Sequence, residues 1–478
     1  MAQDSAQTAL ADSPRLDLPA HSTPAFSSSL LAILTGQVAS GVVVLLTEVC
    51  YSRFLGPATR GMISICLMSV AFAVLIGAAG GEGSIVFWSS KEKGNHARWF
   101  PAVFLWGVLG CILASAAWYV AYWRIQFTFL RGITTGAAWL VLANIPAAIL
   151  FSYGMALLTG AEMFSLRSAN AVARQLAAIL AFLLFLVIFG RTAEGALWGT
   201  LIGCLAGSFL TLFLLRARLR GFWRIRSAKS NLIPTLTYGL RGQIGNLATF
   251  FTYRLDIFII NYFLPLSQLG YYALGVTISE ALWQIPTAVG SALFPRTART
   301  QVDDATQFTC FAMRQVFLVT CMCGILIAAC SPLFVPFVFG AAFKPSIPVI
   351  LLLLPGTMAL CLAKVGCSDL AGRGKNGYSS IFAITCLVLT VFLDWILIPR
   401  VGILGAALAS SIAYFLDSVL VLIAVRYELR VTWKDMLVPT KQDFANYKSA
   451  WQRLTTRFPS IRKNRTAFMP TLSSSKGD

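Results

Sequence analysis

Six polar or ionisable residues interrupt two apolar runs that are each long enough to cross a membrane. The first run, 237–263, contains Arg241, Gln243, Asn246, Arg254 and Asp256, and the second, 271–294, contains Glu280. An ionisable side chain costs several kcal/mol or more when it faces lipid, so it faces a protein interior or a wet cavity instead. These six residues therefore mark a candidate transport path through the membrane.

Arg254 and Glu280 are predicted to meet near the bilayer midplane. A tight turn at 265–268 joins the two runs, and we expect the first span to end near Phe263 and the second to begin near Tyr271. Both charged residues then lie about nine residues, or ~14 Å, into the membrane. On a helical wheel Arg254 shares a face with Gln243 and Asn246, whereas Asp256 points nearly the opposite way. The alternative is that Arg254 is neutralised by a neighbouring helix and only fixes packing.

Four further charged residues lie where spans are predicted to meet the aqueous phases. Arg53 and Arg60 follow the first span at the outer surface, as loop or lipid-head contacts or as release-site residues. Lys364 and Asp369 stand at the cytoplasmic end of span ten, where lysine commonly extends to the membrane surface. A role for this second pair in transport is the alternative.

Three more charges complete the set of candidates. Arg373, in the segment AGRGKN, satisfies the excess of positive charge inside or contacts the incoming substrate. Asp394 and Asp417 lie within spans eleven and twelve, where a carboxylate either couples transport to an ion or proton, or makes a buried hydrogen bond.

The composition requires a membrane protein to carry these residues. Of the 478 residues, 57% are hydrophobic and 12% charged, and the mean hydropathy is +0.73. About twelve apolar segments of ~20 residues use half of the chain. We predict an all-α polytopic fold with these segments: 1–28 as a disordered cytoplasmic tail, 29–221 as an N-lobe, 222–235 as a basic cytoplasmic linker, 236–426 as a C-lobe, and 427–478 as a basic cytoplasmic tail.

The distribution of Lys and Arg predicts that both termini are cytoplasmic. The predicted inner loops hold about sixteen and the outer loops about seven, the richest run lying between Arg216 and Lys229. This asymmetry accounts for most of the net charge of +19, so we predict membrane lipids rather than nucleic acid as partners of the basic segments. Most of the eleven cysteines lie in apolar spans and both histidines lie outside them, so no metal site, disulfide scaffold or cofactor is predicted.

The two halves of the chain repeat each other at a separation of about 210 residues. Phe54-Leu55 with Gly61 matches Phe263-Leu264 with Gly270, and Pro146 matches Pro355. Each half holds six predicted spans, an even number, so both halves enter the membrane in the same direction. The prediction is two parallel six-helix lobes with a substrate cavity between them.

Several segments resemble one family of transporters. They are SRFLGPATRG at 52–61, the stretch 269–296 with its E-x-x-W-x-x-P pattern, the stretch 339–381, and DWILIPRVGILGAALASSIAY at 394–414. Together they resemble Wzx-type polysaccharide flippases, in the superfamily that also holds MATE drug exporters and the lipid II flippase. The resemblance implies two lobes around a central cavity that moves a polyprenyl-diphosphate-linked oligosaccharide outward by alternating access. It also implies lipid as a partner, with a polysaccharide polymerase and assembly proteins as possible others.

A lipid-linked sugar has an anionic diphosphate, and guanidinium groups match phosphate oxygens. We therefore predict that Arg254, and less directly Arg241, holds the diphosphate. One alternative is a MATE-like exporter of cationic drugs, whose cavity would favour net acid. A membrane enzyme is another, but the outer loops are short and no convergent carboxylate pair is visible.

Overall fold

The fold is built from helices, as the apolar runs predict, because a chain in lipid must satisfy its backbone hydrogen bonds within each segment. The structure, a computed structural model, describes residues 23–91, 96–216, 228–297, 302–375 and 377–438. Its helices are α1 Thr23–Ala78, α2 Gly81–Lys91, α3 His96–Ile125, α4 Thr135–Gly160, α5 Phe164–Phe189, α6 Ala193–Leu215, α7 Ala228–Phe263, α8 Leu266–Glu280, α9 Gln284–Thr297, α10 Val302–Val338, α11 Ser346–Gly372, α12 Gly377–Val401, α13 Ile403–Leu429 and α14 Trp433–Leu437.

Helix α1 contains two spans, because the chain turns back at Gly56. Gly56 has φ +77° and ψ 174°, a conformation that is essentially restricted to glycine, and Pro57 follows it. Beyond the turn, Arg60 lies 2.6 Å from Glu48. Twelve residues would separate these two groups by about 18 Å along an unbroken helix, so the ion pair requires the reversal.

The described residues provide the twelve predicted spans. Nine helices among them are long and apolar enough to cross a membrane, and one of these, Ala39–Ala78, comprises the two spans that meet at Gly56. The remaining two spans are α7, which contains several polar residues, and the α8–α9 pair, which the 3₁₀ turn at 281–283 interrupts. The predicted fold class is therefore confirmed.

Helix boundaries recur along the chain with the predicted period. Helix α4 starts at Thr135 and α11 at Ser346, and α5 starts at Phe164 and α12 at Gly377, so the corresponding starts are about 210 residues apart. The break after Ala78 in the first half corresponds to the short 3₁₀ turn at 281–283 in the second. The N-lobe thus comprises α1–α6 and the C-lobe α7–α13.

The predicted segment limits are only partly within the described residues. Helix α1 begins at Thr23, so residues 23–28 are helical and not part of a disordered tail as predicted. Residues 222–227 of the basic linker and 439–478 of the C-terminal tail lie outside the described part of the chain, whereas residues 228–235 of the linker belong to α7.

The lobes meet at glycines that face each other. A Cβ atom on Gly61 would overlap the carbonyl oxygen of Leu266, and a Cβ atom on Gly270 would overlap that of Pro57. These are the two glycines that the repeat pairs, so the contact is reciprocal. Helix backbones can approach this closely only where side chains are absent.

Polar side chains also connect the lobes. The Asn261 amide donates to the carbonyl oxygens of Phe129 at 2.9 Å and Arg131 at 3.1 Å. The Gln243 amide donates to the carbonyl oxygen of Leu75 at 2.5 Å. Through these bonds α7 is held against the N-lobe at two levels.

Candidate functional site

Arg254 on α7 and Glu280 at the end of α8 form a two-pronged ion pair. The guanidinium donates to both carboxylate oxygens, at 2.9 Å and 2.7 Å. The side chains are 25% and 15% exposed, so they are neither free in water nor sealed away. Helix α7 ends at Phe263 as predicted, but α8 begins at Leu266 rather than Tyr271, because Pro265 takes the position that caps the helix start. The two side chains thus meet as expected, and their role in transport stays a prediction.

The E-x-x-W spacing places Trp283 in the 3₁₀ turn that follows Glu280. Its ring lies 5.1 Å from that of Tyr253 and 6.1 Å from that of Tyr414, and the two tyrosine rings are 5.5 Å apart. We call these three residues the aromatic triad. Sequence analysis overlooked them, although Tyr253 precedes Arg254 directly and Trp283 stands in the quoted pattern.

Lys364 lies against the triad rather than reaching for the membrane surface, so the predicted snorkelling is wrong. Its ammonium nitrogen is 4.3 Å from the centre of the Trp283 ring and 5.2 Å from that of Tyr253. Aromatic faces attract a cation at such distances. The preference of the cation for these two rings explains why the side chain turns inward.

Lys364 and Asp417 line the same cavity of about 330 Å³, which we call the C-lobe cavity. Helices α7, α9, α11, α12 and α13 enclose it. The residues that line it are Thr249, Thr252, Tyr253, Pro286, Thr287, Ala363, Lys364, Cys367, Ser368, Ser379, Ala383, Cys386 and Asp417. Asp417 stands near the middle of α13, as predicted. Hydropathy and spacing do not indicate that it shares a cavity with Lys364.

Two buried carboxylates form a second cluster in the C-lobe. Asp256 accepts hydrogen bonds from the Tyr272 hydroxyl, from the Ile257 amide at 2.7 Å and from Ser410 at 3.4 Å. It points away from Arg254, as the helical wheel predicts. Asp394 on α12 is fully buried, and neither of its carboxylate oxygens hydrogen-bonds to a residue that the structure describes. The ion-coupling role predicted for Asp394 and Asp417 stays a prediction.

Arg53 and Arg60 flank the reversal at Gly56, where the first span ends as predicted, and both make contacts within the protein. Their proposed part in substrate release stays a prediction. Arg60 is 5% exposed and contacts both Glu48 and Ser64. Arg53 donates to the carbonyl oxygens of Phe337 and Val338 at the end of α10, the first of these bonds being very short. The helix reversal at Gly56, which brings Glu48 near Arg60, cannot be read from hydropathy. Glu48 is itself an ionisable residue within a span, a signal that sequence analysis overlooked.

Asp369 and Arg373 form a buried link between α10 and α11. The Asp369 carboxylate, fully buried, accepts from Thr309 at 2.7 Å and from Arg373 at 2.9 Å. Arg373 also donates to Thr306 at 3.3 Å. These contacts satisfy both charges within the protein, which favours the structural interpretation of this pair over a role in contacting substrate.

The other polar residues of α7 lie in different surroundings. Gln243 is buried against α1, whereas Asn246 is exposed. Arg241 belongs to α7, but its side chain lies outside the described part of the structure. The structure thus brings together Arg254 and Glu280, with Lys364 and Asp417 beyond the aromatic triad, and separates them from Arg53, Arg60, Asp369 and Arg373.

A second cavity, of about 320 Å³, lies between the lobes and is almost wholly apolar. Helices α1, α3 and α7 line it, together with residues 129 and 130. The side chains that line it include Phe72, Ile76, Trp118, Phe251, Leu255 and Phe258. We call it the apolar groove. It borders the helix that carries Arg254.

Comparison with known proteins agrees with this architecture. A family model described as "Polysaccharide biosynthesis protein" matches residues 51–348. Among curated relatives, a putative O-antigen transporter of Shigella flexneri is 26% identical over 34% of this chain and 40% of its own length. The probable low-salt glycan biosynthesis flippase Agl15 of Haloferax volcanii is 23% identical over 49% and 50%. The chain therefore spans half or less of the length of these relatives.

Solved structures share the fold at low sequence identity. The lipid II flippase MurJ in its inward closed conformation gives a TM-score of 0.67 at 14% identity, over 85% of this chain and 88% of that one. An inward-facing MATE family multidrug resistance transporter gives 0.61 at 15%, over 84% and 98%. Both neighbours belong to transporter groups with two lobes, which matches the arrangement of α1–α13.

Proposed function

The chain belongs to the polysaccharide biosynthesis protein family, and we propose that it flips a polyprenyl-diphosphate-linked oligosaccharide from the inner to the outer leaflet of the cytoplasmic membrane. It is a multi-pass membrane protein with the fold of this transporter superfamily. The flippase and transporter names of its relatives support the substrate class. Membrane lipids surround it, and a polysaccharide polymerase and assembly proteins are its proposed protein partners.

The observation that carries this proposal is the partly exposed Arg254–Glu280 pair. A guanidinium that binds both oxygens of a carboxylate presents the same geometry to two oxygens of a phosphate. Glu280 keeps Arg254 neutralised and oriented while the site is empty. An arriving diphosphate then replaces Glu280 as the partner of Arg254.

The apolar groove suits the other end of such a substrate. The polar head needs a wet, cationic surface, whereas the hydrocarbon tail can stay in an apolar environment. The groove provides apolar surface along α7, beside the residue that we assign to the diphosphate. The head and the tail could thus be held on one helix during the movement of the lobes.

A MATE-like exporter of cationic substrates is the alternative, and the buried acids Asp256 and Asp394 are the feature that favours it. Such a site must offer net negative charge to its substrate. Where the path is partly exposed, however, the charges balance: Glu280 pairs with Arg254, and Asp417 lines the same cavity as Lys364 without pairing with it. This balance favours an anionic or neutral head group.

The experiment compares three variants, namely Arg254→Ala, Glu280→Ala and the double exchange Arg254→Glu with Glu280→Arg. Removing one partner of such a pair can cost about 3–5 kcal/mol, so both single variants should lower abundance in the membrane. The exchange restores the ion pair and should restore abundance. Surface polysaccharide and membrane abundance are measured together in a host whose own flippase gene is deleted.

Export should remain low in the exchange variant, because the cation no longer stands at position 254. If the exchange restores export as well as abundance, the pair is structural and the diphosphate role is lost. Normal export in both alanine variants would remove this pair from the transport path.

A further inference from the structure

The C-lobe cavity contains two charged side chains that the protein leaves without polar partners. Among the described residues, neither the Lys364 ammonium nor the Asp417 carboxylate makes a hydrogen bond or an ion pair, with each other or with a neighbour. Both residues are half-buried. Charges that are partly removed from water are usually paired, because desolvation is otherwise costly. Two unpaired charges of opposite sign on one polar cavity indicate a bound polar solute.

The size and position of the cavity suit a ligand. About 330 Å³ falls at the lower end of the range for small-molecule sites. Thr287 on its rim is exposed, so the cavity has an opening. Tyr253 lines the cavity and directly precedes Arg254 on α7, and Trp283 packs against both Tyr253 and Lys364.

The wall of the cavity accepts hydrogen bonds more than it donates them. The hydroxyls of Thr249, Thr252, Thr287 and Ser368 each donate their proton to a backbone carbonyl of the preceding helical turn. Their oxygen lone pairs are then left to face the cavity as acceptors. With the Asp417 carboxylate, these groups suit a ligand rich in hydroxyl donors.

Lys364 offers hydrogen-bond donors and a positive charge to the cavity, where the hydroxyl oxygens offer acceptors. Its ammonium rests on the rings of Trp283 and Tyr253, which fix its position without taking its three N–H groups as conventional hydrogen-bond acceptors do. Those donors suit one anionic group on the ligand. A diphosphate fits poorly, because it offers only acceptors to an acceptor-rich wall and carries more than one negative charge toward Asp417.

We infer that the C-lobe cavity binds a sugar that carries one carboxylate, with the carboxylate on Lys364 and the hydroxyls on Asp417 and the threonine and serine oxygens. This inference rests on the proposed function and deepens it, since it names an acidic sugar near the diphosphate of the carried oligosaccharide. The cavity would then contribute to the choice of oligosaccharide, while Arg254 holds the part that all such substrates share.

Cys367 lines the cavity and can report occupancy. We would purify the full chain in nanodiscs, modify it with N-ethylmaleimide and follow each cysteine by peptide mass spectrometry. Glucuronate, glucose, glucosamine and inorganic phosphate are the probes, at matched concentration and ionic strength. Cys330, exposed on α10 outside the cavity, is the internal control.

Glucuronate should slow modification of Cys367 about threefold at a concentration about twice its Kd, and should leave Cys330 unchanged. Glucose should protect less. Lys364→Gln should remove the advantage of glucuronate over glucose, and Asp417→Asn should weaken protection by both sugars. Lys344→Gln removes an exposed charge elsewhere and should behave as wild type.

Equal protection by phosphate would assign the cavity to the diphosphate, and stronger protection by glucosamine would assign it to an amino sugar. Either result overturns the inference. So does a Cys367 that no solute protects or that the maleimide does not reach. None of these outcomes affects the Arg254 exchange experiment, so failure of the cavity and failure of the proposed function are distinguishable.

Discussion

At the scale of residues, the charged groups of this membrane protein fall into two kinds. Asp369, Arg373 and Arg60 have their charges satisfied by neighbouring side chains. Asp394 and Lys364 do not have polar partners among the described residues. The first kind stabilises the fold, and the second is available for ligands.

The Asp369–Arg373 pair should behave as a purely structural contact. Asp369→Ala removes a fully buried carboxylate that pairs with Arg373 and accepts from Thr309, so we expect a loss of about 3–5 kcal/mol and much lower abundance. Lys375→Ala breaks the more exposed pair with Glu428 and should cost less than about 1 kcal/mol. Thermal unfolding in detergent measures both. Equal effects would contradict the distinction drawn between these pairs.

Asp394 should respond to cations in a way that Asp369 does not. A buried carboxylate without hydrogen-bond donors is stabilised by a bound proton or cation. At fixed ionic strength, we expect the unfolding temperature of the wild-type protein to change with pH, or to change when Na⁺ replaces choline. Asp394→Asn should remove that dependence without lowering stability. If the dependence persists in Asp394→Asn, Asp394 is not the group that binds the proton or cation.

Sequence reasoning identified Arg254 and Glu280 because charge within an apolar run is a local signal. It missed the contact of Lys364 with Trp283, since that depends on how α11 packs against the 3₁₀ turn of the α8–α9 span. It also did not reveal the burial of Arg60, which follows from a chain reversal at one glycine. The sequence shows where charged residues lie within apolar runs, but their contact partners depend on how the helices pack.

At the scale of helices, interruptions in the spans position the functional groups. The 3₁₀ turn between α8 and α9 holds Trp283, with Glu280 directly before the turn and Thr287 in the cavity lining after it. Sequence analysis predicted one continuous span here, because composition does not reveal a single tightened turn.

Two glycines at the contact between lobes should be intolerant of any side chain. Gly61→Ala and Gly270→Ala each place a Cβ atom on a backbone carbonyl, which cannot move aside as a side chain can. We expect reduced abundance or export in both variants. Gly41→Ala and Gly83→Ala are matched helical controls, because no atom lies within 4 Å of the added Cβ. If all four variants behave alike, the close contact is not required.

At the scale of the whole molecule, membrane orientation remains a prediction from the loops. Reporter fusions after Leu215 and after Leu437 should give cytoplasmic signals, and a fusion after Ser267 should give an external one. A cytoplasmic signal at Ser267 would invert the molecule and place the opening of the C-lobe cavity on the outer side. The two-lobe fold itself does not depend on this result.

The reciprocal contact of Gly61 with Leu266 and of Gly270 with Pro57 has the form of a homodimer interface. In a two-fold symmetric dimer, residue i of one subunit meets residue j of the other, and j meets i. Here both partners belong to one chain and correspond through the internal repeat. Each half therefore carries a surface that is complementary to the corresponding surface of the other half. A single ancestral half would need such a surface in order to pair with a second copy of itself before the two were fused.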